Sequence, residues 1–275
     1  MTNRKIDAAG CNCHFLGMKF PSQILALATL TTVLAWQWPL VAQSNAPAVV
    51  ITNAMSEVHQ NTAIIPVPRT DHWATNRQAL VLKRAKDAPG DYDIEFIGDS
   101  ITQGWEGAGK SVWQEFYGKR KVINFGVSGD RTQHVLWRFE QGQLDGIKAK
   151  VAVVMIGTNN SNNQDNTEAE ILEGVTAIVQ QIRERQPDTK ILLLGIFPRG
   201  KTFSPQRGKI LEVNEALARL DDGSHIFYLD LGPLFIENDG SISKSIMPDA
   251  LHPNAAGYKI WANATEPKLK QLLGE

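Results

Sequence analysis

Five short apolar runs, each followed by a polar segment, recur along the last two thirds of this chain. Stretches with apolar residues at helical spacing separate the runs, so strands and helices are expected to alternate. Strands that alternate with helices pair in parallel, and the helices then cover both faces of the sheet. We therefore predict an α/β fold, a three-layer α/β/α sandwich around one parallel sheet. The predicted strands span residues 94–97, 122–125, 151–156, 191–196 and 226–229.

Helices are predicted between and around these strands. The first is capped by Thr70 or Asp71 and runs to about residue 86, with Trp73, Leu80 and Leu82 expected to be partly buried. The other predicted helices span residues 111–117, 131–139, 167–185, 209–220 and 253–273.

The first 70 residues lack this alternation. Residues 18–46 have the pattern of a secretion signal, with Lys19 before an apolar run at 24–35 and small residues after it. The run is short for a membrane span, so a cleaved leader and a secreted or periplasmic protein are predicted. An uncleaved anchor is the alternative, and Met18 is an alternative start. We predict a leader over 1–42, a linker over 43–70 and a single domain over 71–275.

Composition excludes several classes of function. The formal net charge is −1 and no long basic run occurs, so we expect no nucleic-acid partner. The only cysteines are Cys11 and Cys13, which excludes a disulfide framework or a cysteine metal site in the predicted domain. The six histidines lack the spacing of metal ligands. We therefore predict no metal and no cofactor.

The first predicted strand runs into the turn Gly98-Asp99-Ser100. Open α/β sheets bind ligands at the carboxyl ends of their strands, so a serine on this turn is well placed as a nucleophile if a base lies close. The tripeptide alone is equally typical of a turn and helix cap, in which Asp99 would bind local backbone N–H groups.

Three further polar segments have the residue types that acyl transfer requires. The glycines around Gly129 can present backbone N–H groups, and the side-chain amide of Asn159 can donate to a forming negative oxygen. Asp249 can orient the imidazole of His252, which can then accept the proton of Ser100. Each segment alone is typical of an ordinary turn, but together they predict nucleophilic catalysis by a serine.

The same blocks resemble those of the SGNH hydrolases, also called GDSL lipases and esterases. The matching positions are Ser100, Gly129, Asn159 and the pair of Asp249 with His252. Longer segments, including residues 133–138, 154–160 and 198–200, resemble the catalytic subunits of intracellular platelet-activating factor acetylhydrolase. The resemblance covers residues 73–273.

This resemblance implies a flavodoxin-like sheet with strand order 2-1-3-4-5 and ester hydrolysis without a metal. It also implies an oxyanion hole formed by the backbone N–H groups of Ser100 and Gly129 and by the side chain of Asn159. Pro253 and the loop at 104–109 depart from the animal members beside the expected pocket. The substrate of those members is therefore not implied.

We expect a serine esterase that hydrolyses short-chain acyl esters, acetyl esters above all, through an acyl-enzyme on Ser100. An acetylated glycan such as xylan is the alternative substrate. A non-catalytic carbohydrate-binding protein on a hydrolase fold is the alternative from another class, because a fold does not determine a function. The resemblance also allows a homodimer, for which the sequence identifies no interface.

Overall fold

The computed structural model describes residues 59–162 and 165–275, and the predicted leader with Cys11 and Cys13 lies outside them. Within these residues, five strands pair in parallel in one sheet. They are β1 (Gly90–Gly98), β2 (Val122–Asn124), β3 (Ile147–Met155), β4 (Lys190–Leu194) and β5 (Ile226–Leu229). The sheet has the order β2-β1-β3-β4-β5, which confirms the predicted topology.

Seven α-helices lie within the same described residues. They are α1 (His72–Asp87), α2 (Ser100–Gln103), α3 (Lys110–Tyr117), α4 (Thr132–Glu140), α5 (Glu168–Arg185), α6 (Pro205–Leu217) and α7 (Ala255–Leu273). In this part of the chain, no helix has both the length and the apolar composition needed to cross a bilayer.

The sheet separates two apolar cores, because successive side chains of a strand point to opposite faces. Ile97 of β1 packs in a core that includes residues of α1, α4, α5 and α6. Its neighbour Phe96 packs in a second core with residues of α3 and α7. Both side chains are fully buried, as expected for a central parallel strand covered on both faces. The fold is therefore the predicted three-layer sandwich.

The predicted partial burial of three α1 side chains is confirmed for Leu82 but wrong for Trp73 and Leu80. Trp73 is 53% exposed and Leu80 is 43% exposed. The helix instead turns a different set of side chains toward the core, two of them alanines. The buried residues of α1 are Ala74, Gln78, Val81 and Ala85.

The residues before α1 pack against the helical layer. The hydroxyl of Thr132 donates to the carbonyl oxygen of Ala63 at 2.7 Å, and the N–H group of Val67 donates to the carbonyl oxygen of Gln133 at 3.3 Å. Two of these partners belong to α4, the helix that follows Gly129. The described part of the predicted linker therefore contacts the folded domain beside a predicted site residue.

Candidate active site

Ser100, His252 and Asp249 form one hydrogen-bonded chain. The Oγ atom of Ser100 lies 2.9 Å from Nε2 of His252. The other ring nitrogen, Nδ1, lies 2.6 Å from Oδ2 of Asp249. Because a carboxylate only accepts, the proton belongs on Nδ1, and Nε2 is left to accept the proton of the serine.

Ser100 is the first residue of α2, directly after the turn that ends β1. A Cβ atom at Gly98 would collide with the carbonyl oxygen of Met155 and with the side chain of Thr102, so only glycine fits there. Asp99 caps α2, and its Oδ1 accepts from the N–H group of Ile101 at 3.0 Å, which confirms the predicted local bond. Burial raises the pKa of Asp99 to about 6, and the hydrogen bond from the N–H group of Ile101 opposes the rise.

Asp249 holds His252 through the backbone as well as through the ring. Its Oδ1 accepts from the N–H groups of Leu251 at 3.0 Å and of His252 at 2.7 Å. The tight turn forces Ala250 to a φ of 55°, a left-handed conformation that is uncommon outside glycine. Partial burial opposes ionisation, but the hydrogen bonds from His252 outweigh it and lower the pKa of Asp249. The carboxylate is therefore negative where it contacts the imidazole.

The predicted oxyanion donors of Ser100, Gly129 and Asn159 follow strand ends at the carboxyl edge of the sheet. Gly98 pairs with Met155 in the sheet, so Ser100 and Asn159 follow adjacent strand ends. The side-chain amide of Asn159 donates one hydrogen to the carbonyl oxygen of Asp130, the residue after Gly129, at 2.9 Å. An amide carries two hydrogens, and among the described residues no acceptor takes the second, which can therefore donate to an oxyanion.

The backbone conformation at Gly129 and the side chains that pack against it both exclude a larger residue at this position. Its φ is 73°, in the left-handed region. A Cβ atom there would also lie 2.8 Å from Nη1 of Arg69 and 3.3 Å from Cη2 of Trp73. The side chains of Arg69 and Trp73 therefore pack against the Gly129 loop.

A buried ion pair, which the sequence did not indicate, supports the Gly129 loop. Arg138 of α4 contacts the carboxylate of Asp130, and both side chains are fully buried. Nη2 of Arg138 also donates to the carbonyl oxygen of Phe125 at 3.2 Å. On the outer side, Arg69 donates to the carbonyl oxygen of Ser128 at 3.0 Å. The loop is thus held from inside and outside at fixed points.

A second arginine that the sequence did not single out as functional holds the loop of Asn159. Nη1 of Arg199 donates to the carbonyl oxygen of Thr158 and to Oδ1 of Asn162, both at 3.0 Å. The amide of Gln206 donates to the same Oδ1 atom at 3.2 Å. These bonds close the turn on both sides of Asn159 and limit its movement.

Residues 96–260 match the sequence profile of the GDSL-like Lipase/Acylhydrolase family. The human platelet-activating factor acetylhydrolase IB subunit alpha2 is 37% identical over 227 residues, which cover 80% of this chain and 96% of that protein. The human subunit alpha1 of the same enzyme is 36% identical over 222 residues, which cover 78% of this chain and 93% of that protein.

Solved structures share the fold at lower identity. A GDSL-like lipase from Bacteroides thetaiotaomicron aligns with a TM-score of 0.58 and 19% identity, over 71% of this chain and 98% of that one. A catalytic mutant of Axe2, an acetylxylan esterase from Geobacillus stearothermophilus, aligns with a TM-score of 0.51 and 19% identity, over 66% of this chain and 94% of that one. The profile match and the identity to the curated relatives show that this chain belongs to the GDSL-like lipase/acylhydrolase family of carboxylic ester hydrolases.

Proposed function

We propose that this protein is a serine esterase that hydrolyses short-chain acyl esters, acetyl esters above all, through an acyl-enzyme on Ser100. The observation that carries the proposal is the hydrogen-bonded chain from Ser100 through His252 to Asp249. The names of the curated relatives support acetyl as the acyl group, because those proteins are acetylhydrolase subunits.

Acylation begins when Oγ of Ser100 attacks the ester carbonyl carbon and Nε2 of His252 takes its proton. An electron pair of the carbonyl moves to its oxygen, where the donors at Gly129 and Asn159 stabilise the negative charge. Collapse of this intermediate breaks the bond to the alcohol oxygen, which leaves with the proton from Nε2. Asp249 stabilises the imidazolium that exists between these two proton transfers.

Deacylation repeats the sequence with water as the nucleophile. His252 takes a proton from the water as its oxygen attacks the acyl carbon. The second intermediate collapses, Ser100 leaves with the proton from Nε2, and the free acid is released. With water as the second substrate, the protons and electrons of both steps balance on Ser100 and His252.

The decisive experiment compares Ser100→Ala with the wild-type protein on an acetyl ester. We expect kcat to fall by about 10⁴-fold or more, because nothing else can form the acyl-enzyme. Ser111→Ala, at an exposed serine of α3, is the matched control and should keep full activity. Equal rates for wild type and Ser100→Ala would refute the proposal. Labelling of Ser100 by a fluorophosphonate would separately exclude a non-catalytic binding protein, since only an activated serine reacts.

An acetylated glycan is the second candidate substrate. The acetylxylan esterase among the structural neighbours is consistent with it, and a polar recess beside Gly129 favours it. Rates on acetylated xylan, on an aryl acetate and on an acetylated phospholipid would separate the candidates. A preference for the phospholipid would reject the glycan.

We also propose that the protein is exported to the periplasm or the medium. The support is the apolar run at 24–35 with Lys19 before it, which lies outside the described residues. Fractionation of cells that express the full chain, with N-terminal sequencing of the product, tests this. A product in the cytoplasm that retains residues 18–42 would refute it.

A homodimer stays a proposal that rests on the family resemblance alone. Light scattering of the purified protein would test it directly. A mass equal to one chain over a wide range of concentration would reject it.

A further inference from the structure

Around Gly129, three of four successive backbone N–H groups already have an acceptor. Those of Val127 and Asp130 donate to backbone carbonyl oxygens at 3.2 Å and 3.1 Å. That of Ser128 donates to Oε1 of Gln103 at 2.7 Å. Among the described residues, no atom accepts from the N–H group of Gly129. In this run of the chain, it is therefore the N–H group that remains able to donate to an oxyanion.

The direction of this N–H group depends on its own peptide unit. The unit that joins Ser128 to Gly129 is planar, and in a trans peptide the N–H group points opposite to the carbonyl oxygen. That oxygen belongs to Ser128 and accepts from Nη1 of Arg69 at 3.0 Å. Because the plane is rigid, holding its oxygen also fixes the direction in which the Gly129 N–H group points.

Gln103 holds the preceding peptide unit from the helix that carries the nucleophile. Ser100 is the first residue of α2 and Gln103 is the last. The Oε1 atom of Gln103 accepts from the N–H group of Ser128, and within the described residues its side-chain amide donates to no acceptor. A single side chain thus connects the helix of the nucleophile to the residue before Gly129.

The backbones of α2 and the Gly129 loop are also in direct contact. A Cβ atom on Gly126 would collide with the backbone nitrogen of Gln103, so only glycine allows this approach. The side chain of Asn124 donates to the carbonyl oxygen of Thr102 at 3.0 Å and accepts from the N–H group of Gly126 at 2.8 Å. Asn124 therefore joins the start of the loop to α2, and Gln103 joins its far end.

The peptide units on both sides of Ser128 are thus held by two side chains that the reaction itself does not use. Resting on the proposed esterase function, we infer that Gln103 and Arg69 are positioning residues, which orient the Gly129 N–H group relative to Oγ of Ser100. An oxyanion donor stabilises the transition state only when it is aimed at the position where the charge develops. Loss of this orientation lowers kcat and leaves KM unchanged, because the bound substrate carries no such charge.

The test compares phenyl acetate with its thiono analogue, in which sulfur replaces the carbonyl oxygen. Sulfur accepts hydrogen bonds weakly, so the oxyanion donors accelerate the thiono ester less. Gln103→Met removes the acceptor for Ser128 at nearly constant size. It should lower kcat on phenyl acetate by about ten- to a hundredfold at unchanged KM. The ratio of kcat on phenyl acetate to kcat on the thiono ester should fall by about tenfold, and Arg69→Met should lower the same ratio.

Gln103→Glu is the conservative variant, because a carboxylate still accepts from the N–H group of Ser128. It should recover most of the ratio that Gln103→Met loses. Gln180→Met, at an exposed glutamine of α5, and Arg219→Met, at an exposed arginine, are the matched controls and should leave both rates unchanged.

A loss of equal size on both esters in Gln103→Met would overturn the inference, because it would show that Ser100 itself is displaced. Unchanged rates on both esters would overturn it as well. If Gln103→Met does not fold, Gln103→Ala, which only removes atoms, takes its place and the same ratio decides.

Amide hydrogen exchange tests the bond to Ser128 without turnover. The amide of Ser128 should exchange faster in Gln103→Met than in the wild type and in Gln103→Glu, and an unchanged rate would contradict the inference. If Ser100→Ala abolishes hydrolysis while Gln103→Met keeps the wild-type ratio and exchange, the positioning role is rejected and the esterase stands. If Ser100→Ala hydrolyses both esters at the wild-type rate, the esterase proposal fails, and the positioning role fails with it.

Discussion

Glu95 lies in the middle of β1 with a fully buried carboxyl group, and its replacement by glutamine should stabilise the protein at neutral pH. Burial raises the pKa of Glu95 from 4.5 to about 8, and the amide of Gln186 opposes this rise only in part. The native protein therefore keeps a proton that the unfolded chain releases. Because the unfolded state then binds fewer protons, the free energy of unfolding falls as the pH rises from 4.5 to 8.

The size of the effect follows from this window. Each pH unit within it lowers the free energy of unfolding by about 1.4 kcal/mol, so the loss reaches about 3 kcal/mol at pH 7. Glutamine has the same shape and no charge, and its amide can donate to Oε1 of Gln186, an atom without a hydrogen-bond partner among the described residues. Glu95→Gln should therefore remove most of the loss.

Urea unfolding of the wild type and of Glu95→Gln at pH 5, 6, 7 and 8 measures the difference. The free energy of unfolding of Glu95→Gln should exceed that of the wild type by less than about 1 kcal/mol at pH 5 and by about 3 kcal/mol at pH 7. Glu140→Gln, at an exposed carboxylate of α4, is the control and should give no gain that grows with pH. The reasoning is refuted if the wild type and Glu95→Gln lose stability in parallel across this range.

Two further predictions concern the oxyanion loops. Asn159→Ala should lower kcat on an acetyl ester by about 10²–10³-fold because one oxyanion donor is lost, and an unchanged kcat would show that the amide has no such role. Arg138→Met removes the buried partner of Asp130 and leaves the carboxylate with the longer contact to Arg69 at 3.4 Å, so it should lower the free energy of unfolding in urea by about 3–5 kcal/mol. A loss below about 1 kcal/mol would contradict this and would show that Arg69 alone compensates the charge of Asp130.

The strands and their order follow from local signals in the sequence. Strands that are buried on both faces of a sheet are continuously apolar, so the apolar runs identify the strand centres. The bounds of β5 are the predicted ones. The starts of β1 and β3 were predicted too late. The first half of β3 alternates between buried residues and exposed lysines at positions 148 and 150, because the amino-terminal edge of the sheet is partly open to solvent. A segment in which apolar residues alternate with lysines contains no continuous apolar run, so it is not recognised in the sequence as part of a buried strand.

The start of the last helix also differs from its predicted position, and a capping residue is the reason. The last helix was predicted from residue 253, but α7 begins at Ala255 because the side chain of Asn254 accepts from the N–H groups of Ala256 and Gly257. An asparagine before an apolar stretch is a typical cap, so this boundary could have been found from the sequence.

The supports of the site could not be predicted in this way. Arg138 and Asp130 pair inside the fold, where charged residues are expected least. Arg69 reaches Gly129 from a segment far away in the sequence, which no spacing rule reveals. The face of α1 was also misjudged, since the helix buries alanines and leaves Trp73 in solvent. The residues that react were thus visible as motifs, whereas the residues that hold them were not.

The path of the chain before α1 decides where a usable fragment of this protein can start. A fragment cut at the borders of the family match, residues 96–260, would omit the segment 59–70. It would therefore lose Arg69, whose guanidinium donates to the Gly129 loop. It would also omit residues 90–95, which form the first two thirds of β1, and all of α1. Fragments made for expression should begin upstream of residue 59, because a shorter product would contain Ser100 and His252 without the residues that support the site.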